Sequence, residues 1–233
     1  MFRIINLSIF AIFWAHLSCA QDLRVDLSQI VGKMDTSSHV SVEVKVSAHS
    51  KKGAAVFYST NASFYKSGKS TFTRLGEQDY LVTPAVEVTV DNEEKAMLVL
   101  KKEDAPKNKK VKKEKVKFDF KEFEKYLDED QVKAEISLVS SSNGLNEYKI
   151  TNIPEIIEMR IVINVKSNSI DKVTYHYKDE SQYKGQYIVL DYTKFSYSEN
   201  NSAKLNPSNY YSETSGKIVG VGKYKSYNLY KEL

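Results

Sequence analysis

His39-Val40-Ser41-Val42-Glu43-Val44-Lys45-Val46-Ser47-Ala48 is the stretch that decides the fold. Its valines and Ala48 alternate with Ser41, Glu43, Lys45 and Ser47. Successive side chains of a strand point to opposite faces, so this pattern sets one face on a core and the other in water. Downstream, strand-like runs recur over residues 54–60, 63–66, 71–75, 80–83, 86–90 and 96–100. The links are short and polar, among them Lys51-Lys52-Gly53 and Asp91-Asn92-Glu93-Glu94. Such spacing predicts a meander of antiparallel hairpins. Met97-Leu98-Val99-Leu100 is apolar at every position, which predicts cover on both faces. Upstream, Leu27, Ile30, Val31 and Met34 have i, i+3, i+4, i+7 spacing. They predict a short helix from Asp26 that packs on a sheet.

Lys101–Lys117 carries nine lysines against Glu103, Asp104 and Glu114. It has no apolar periodicity and reads as a solvated loop or hairpin tip. Asp119 can then cap a helix, with Glu122 as its reciprocal partner and Phe120, Phe123, Tyr126 and Leu127 on one face. Strand patterns return over residues 134–140, 147–151, 158–165, 172–177 and 187–197, with turns at Asn143-Gly144 and Ser167-Asn168-Ser169. A turn or short helix around Pro207 precedes a last apolar-dotted segment, residues 217–230. The fold class is mainly β (α+β): one curved, unclosed antiparallel sheet with helices covering one side.

The chain begins with Arg3, an apolar run from Ile4 to Leu17, and small residues Ser18-Cys19-Ala20. This is the form of an export signal over residues 1–20, cleaved near Ala20, and too short for a good membrane span. Residues 21–233 are then a periplasmic or secreted domain. Cys19 is the one cysteine. It leaves with the signal, or, on the alternative reading, is acylated and tethers a lipoprotein. Either way no disulfide forms, and the core alone must hold the fold. The formal charge is +4 over 233 residues. The lysine run alone has nine lysines against three acids, more net positive charge than the whole chain, so a basic field over the rest of the surface, suited to nucleic acid, is not present.

The residue patterns for chemistry are sparse. His39, His49 and His176 have no metal-ligand spacing, and no metal or other cofactor is expected. No G-x-S-x-G occurs, and Lys66-Ser67-Gly68-Lys69-Ser70 lacks the upstream glycine of a phosphate loop. Acidic pairs such as Glu93-Glu94 sit in turns and read as solvated charge. Twelve of sixteen tyrosines lie at or after Tyr148. They read as half-exposed sheet residues that pack and hydrogen-bond, with a sugar-binding surface as the other reading. No nucleophile, base and orienting group assemble, so the chain is read as a non-enzyme.

A short helix at Leu27-Ser28-Gln29-Ile30 runs into Val40–Val46, then into residues 55–64 and the hairpins beyond. Residues 86–95, 187–195, Asn206-Pro207 and 224–227 continue the order of elements. That order resembles the LolA/LolB-like family of periplasmic lipoprotein carriers, in particular its divergent Bacteroidetes forms. The resemblance implies an unclosed β-barrel with helices as a lid over an apolar cavity. It also implies acyl chains, lipoproteins or another hydrophobic ligand as cargo. Arg74 is the nearest match to the family's cavity arginine, and the Lys101–Lys117 run departs from the family pattern. The inward candidates are Val42, Val44, Val46, Phe57, Phe64, Phe72, Val88 and Met97. Two functions follow: a monomeric carrier, or an envelope interaction module with a filled core that acts through Tyr- or Lys-rich surfaces on a protein partner.

Overall fold

The computed structural model describes residues 23–102 and 134–231. The expected signal with Cys19, the lysine run beyond Lys102 and the helix expected from Asp119 lie outside the described residues. The fold is mainly β. In chain order the strands are β1 (His39–His49), β2 (Val56–Ser67), β3 (Ser70–Leu75), β4 (Gln78–Val82), β5 (Val86–Asp91) and β6 (Ala96–Lys101). There follow β7 (Glu135–Ser142), β8 (Leu145–Thr151), β9 (Ile156–Asn164), β10 (Ser169–Tyr177) and β11 (Tyr187–Ser196). The tail adds β12 (Tyr211–Thr214), β13 (Lys217–Gly220) and β14 (Asn228–Lys231). One unclosed sheet has the order β14-β6-β5-β4-β3-β2-β1-β11-β10-β9-β8-β7, and β12-β13 form a separate ribbon.

Three local expectations need correction. Residues 54–60 and 63–66 are not two strands, because β2 runs unbroken from Val56 to Ser67. Asn61-Ala62 stays extended there and does not turn the chain. The sheet is not wholly antiparallel, since β14 pairs with β6 in parallel, Asn228 against Ala96. The helix, α1 (residues 23–36), starts a turn before Asp26. Asp26 is not its first residue. Its Oδ2 instead accepts from Tyr148 Oη at 2.7 Å and Asn146 Nδ2 at 2.9 Å, which ties α1 to β8.

The described residues group into two units. The first holds residues 23–36, 45–59 and 134–192. Its strands β8, β9 and β10 have one apolar and one charged face. Tyr148, Ile161 and Val173 are in register on the apolar face, with Ile150 and Met159 beside them. All five are buried, as are Leu23, Leu27 and Ile30 of α1. Spacing of four and three residues places these three α1 side chains on one helical stripe. Asn143 (φ 55°) and Gly144 (φ 85°) turn β7 into β8. Two positive φ angles in succession are what a tight hairpin turn requires.

The second unit holds residues 37–44, 60–102 and 193–231. Strands β3 to β6 form a plain meander whose inner face carries Phe72, Leu81, Val88 and Val99 in one row. The tail returns over it with short 3-10 turns at Ser202–Leu205, Pro207–Asn209 and Gly222–Ser226. Gly220 passes so close to the last turn that a Cβ there would collide with the Tyr224 carbonyl oxygen. Met97 and Val99 are buried, while Leu98 and Leu100 are only half-buried. Only one face of β6 is therefore fully covered.

Candidate functional site

The inner face of the second unit is a filled core. Tyr65, Phe72, Leu81, Val88 and Val99 pack with Val86, Val90 and Met97 from the sheet, and Leu205, Tyr210 and Tyr224 cover them from the tail. The aromatic rings interlock. Tyr65 stacks on Phe72 at 5.8 Å, and Tyr210 on Tyr224 at 5.2 Å. Polar contacts pin the tail around this core. Lys101 Nζ lies 2.5 Å from Glu213 Oε2, Tyr227 Oη donates to Asn92 Oδ1 at 3.1 Å, and Lys204 Nζ sits 4.1 Å over the Tyr65 ring.

One ion pair enters this core. Arg74 and Asp79 face each other across the β3–β4 hairpin. Arg74 Nε donates to Asp79 Oδ1 at 2.6 Å, and a terminal guanidinium nitrogen donates to Oδ2 at 2.8 Å. Asp79 is 1% exposed, so a two-point partner is the condition for a carboxylate there. The hydrogen bond to Asp79 pushes the Arg74 pKa further up. Burial raises the Tyr224 phenol to about 12, and the Asp79 charge adds to the shift. Burial raises Tyr210 as well.

The eight candidate cavity residues do not share one place. Phe72, Val88 and Met97 lie together in the filled core. Val42 is buried and Val44 half-buried on the part of β1 in the same unit. Phe64 is in register with Thr73, on the face of β2 opposite Tyr65. Val46 and Phe57 belong to the first unit. The Val46 carbonyl accepts from Ser59 Oγ at 3.2 Å, and Phe57 is 58% exposed between Val56 and Tyr58, also exposed.

The first unit carries a second site that sequence reasoning did not single out. The charged face of its sheet holds a basin of about 220 Å³, lined by Lys52, Glu147, Arg160, Val162, Lys172, Thr174 and Tyr187. Strand alternation sets Glu158, Arg160 and Val162 on this face of β9, and Lys172 and Thr174 on this face of β10. Arg160 is a hub. It donates to Glu158 Oε1 at 2.9 Å and to Glu147 Oε1 at 2.8 Å. Lys172 meets Asp191 at 3.0 Å, and Lys52 lies 3.6 Å from Glu158. The Arg160 hydrogen bond holds Glu158 below the usual carboxylate range. At the rim, Tyr187 is met edge-on by His49 at 6.1 Å and by His176 at 6.0 Å. The alternating Glu158-x-Arg160 and Lys172-x-Thr174 patterns were the available signal in the sequence. Among the described residues no group of His, Cys, Asp and Glu has the arrangement of a metal site, and no helix is long and apolar enough to cross a membrane.

No protein-family model matches the chain, and no curated protein does. Comparison with solved structures finds similar chains, all at low identity. An uncharacterized conserved protein from Thermus thermophilus is 11% identical over 88% of this chain and 98% of its own, with a TM-score of 0.45. A putative outer membrane lipoprotein-sorting protein domain from Vibrio parahaemolyticus is 7% identical over 79% and 96%, with a TM-score of 0.32. A LolA superfamily protein from Nitrosomonas europaea is 10% identical over 77% and 96%, with a TM-score of 0.20. At these scores and identities the likenesses assign no site residue and no ligand to this chain.

Proposed function

We propose that the chain, exported and processed near Ala20, is a non-enzymatic binding protein of the cell envelope. It works through its surfaces, and its own tail fills the core of the second unit. One observation carries this reading: Leu205, Tyr210 and Tyr224 cover the face that holds Phe72, Val88 and Met97. An acyl chain gains roughly 0.8 kcal/mol per buried methylene. It gains this only where apolar surface is open to it, and here the tail already buries that surface. The contact region we favour is the first part of β2. Its register with β3 starts at Ala62, and the Asn61 carbonyl accepts from Gly76 N–H, so Val56–Thr60 extends past β3. Val56, Phe57 and Tyr58 are exposed there at 51%, 58% and 54%. A strand with apolar side chains and an edge unpaired among the described residues suits an extended segment of another envelope protein.

The test is native mass spectrometry of residues 21–233 purified from their own envelope, before and after incubation with palmitate. The expected result is the bare protein mass in both spectra. A lipid bound at near one-to-one ratio would overturn the filled-core reading. It would return Val42, Val44, Val46, Phe64 and their neighbours to the role of cavity lining for a carrier.

A further inference from the structure

We infer that the basin on the charged face of the first unit binds a neutral, polyhydroxylated ring: a single sugar residue, free or at the end of a glycan. The argument starts from charge balance. Lys52, Arg160 and Lys172 are matched by Glu158, Glu147 and Asp191, and each cation already has a carboxylate within 3.6 Å. A free anion has to displace Glu147 or Glu158 from Arg160, and a cation has to compete with the guanidinium. A neutral ligand with several hydroxyl groups does neither. Each hydroxyl donates one hydrogen bond and accepts others. It can therefore donate to a carboxylate and accept from a neighbouring cation while the ion pairs stay in place, and hydrogen bonds to charged partners are the stronger kind.

The remaining lining fits the same ligand. Val162 and the Tyr187 ring offer apolar surface beside the charges, which suits the C–H face of a sugar ring. Thr174 is 7% exposed on the basin floor and brings a hydroxyl among the charged groups. The volume of about 220 Å³ is below the roughly 300–1,000 Å³ of sites for drug-sized molecules, so one ring is the scale of the ligand. The paired charges also hold one another's rotamers. Arg160 makes three hydrogen bonds to two carboxylates, so little side-chain freedom is left to lose on binding.

The site belongs to the first unit and the tail-filled core to the second, and neither claim depends on the other. The experiment is an amide-resolved NMR titration of residues 21–233 with methyl α-glucoside, methyl α-galactoside and N-acetylglucosamine. Sodium sulfate is the anionic probe. The expected result is saturable shifts, for at least one sugar, confined to amides of residues 158–162, 172–176 and 187. Affinity should fall about tenfold in Glu147→Gln and in Tyr187→Ala, the loss of one hydrogen bond to a charged group or of one ring contact. Tyr187→Phe keeps the ring and should keep the binding. If none of the three sugars shifts these amides, or if sulfate shifts them at lower concentration than any sugar, the inference is wrong. Because the wild-type titration alone decides, misfolding of a variant does not leave the question open.

Discussion

Asp79 is the residue on which the second unit is most exposed to failure. It is 1% exposed and survives as a carboxylate because Arg74, itself 44% exposed, reaches in from the rim. Removing one partner of such a pair leaves a buried charge uncompensated, at a cost of a few kcal/mol. We therefore expect Arg74→Met to lower unfolding free energy by about 3 kcal/mol in urea titrations. The double variant Arg74→Met with Asp79→Leu should recover much of that, since it leaves no orphaned charge. A single-variant loss below about 1 kcal/mol would mean that the pair behaves as a surface ion pair. This pair was half-visible in the sequence. Arg74 stood out as a strand arginine, but its partner follows from the two-residue turn Gly76-Glu77, which fixes Arg74 opposite Asp79.

At the scale of elements, the tail is the part whose docking answers to pH. Tyr224 rises from an ordinary value of 10 to about 12, and Tyr210 is raised with it, both by burial. A raised folded pKa means full stabilisation below the unfolded value and progressive loss above it. Stability of the second unit should hold up to about pH 10 and fall toward about pH 12. In Tyr224→Phe that alkaline slope should shrink. A slope that the Phe variant leaves unchanged would place the titrating groups elsewhere. The sheet around the tail was readable for a plain reason. Alternation at Val40–Val46 and Val86–Val90 reports a one-sided core, and Asn143-Gly144 reports a turn. The tail's role was not readable, because period-2 patterns say which residues are buried and not what buries them. Phe72, Val88 and Met97 carry the same signal whether a lipid, a helix or Tyr224 lies above them. The charged basin escaped for a related reason. Glu158, Arg160, Lys172 and Thr174 look like ordinary water-facing positions until the register of two strands sets them side by side.

Across the whole molecule, the parallel pairing of β14 with β6 has a consequence in time. Asn228 meets Ala96, 132 positions earlier, whereas β2 to β6 are joined by hairpins of a few residues. Closing a long loop costs only slightly more free energy than closing a short one. It is slow, however, because distant contacts form late in folding. The meander of the second unit must therefore exist for a while with Phe72, Val88 and Met97 uncovered, before the tail arrives. The chain's one tryptophan is in the expected signal, at Trp14, so emission of residues 21–233 comes from tyrosines. Refolding followed by that emission should show a slow phase that prolyl isomerase does not accelerate and that Tyr210→Phe with Tyr224→Phe diminishes. A single fast phase would mean that the tail docks together with the hairpins. Any apolar molecule present during that interval competes with the tail for the same surface, so the period of assembly is when this protein is most open to a foreign guest.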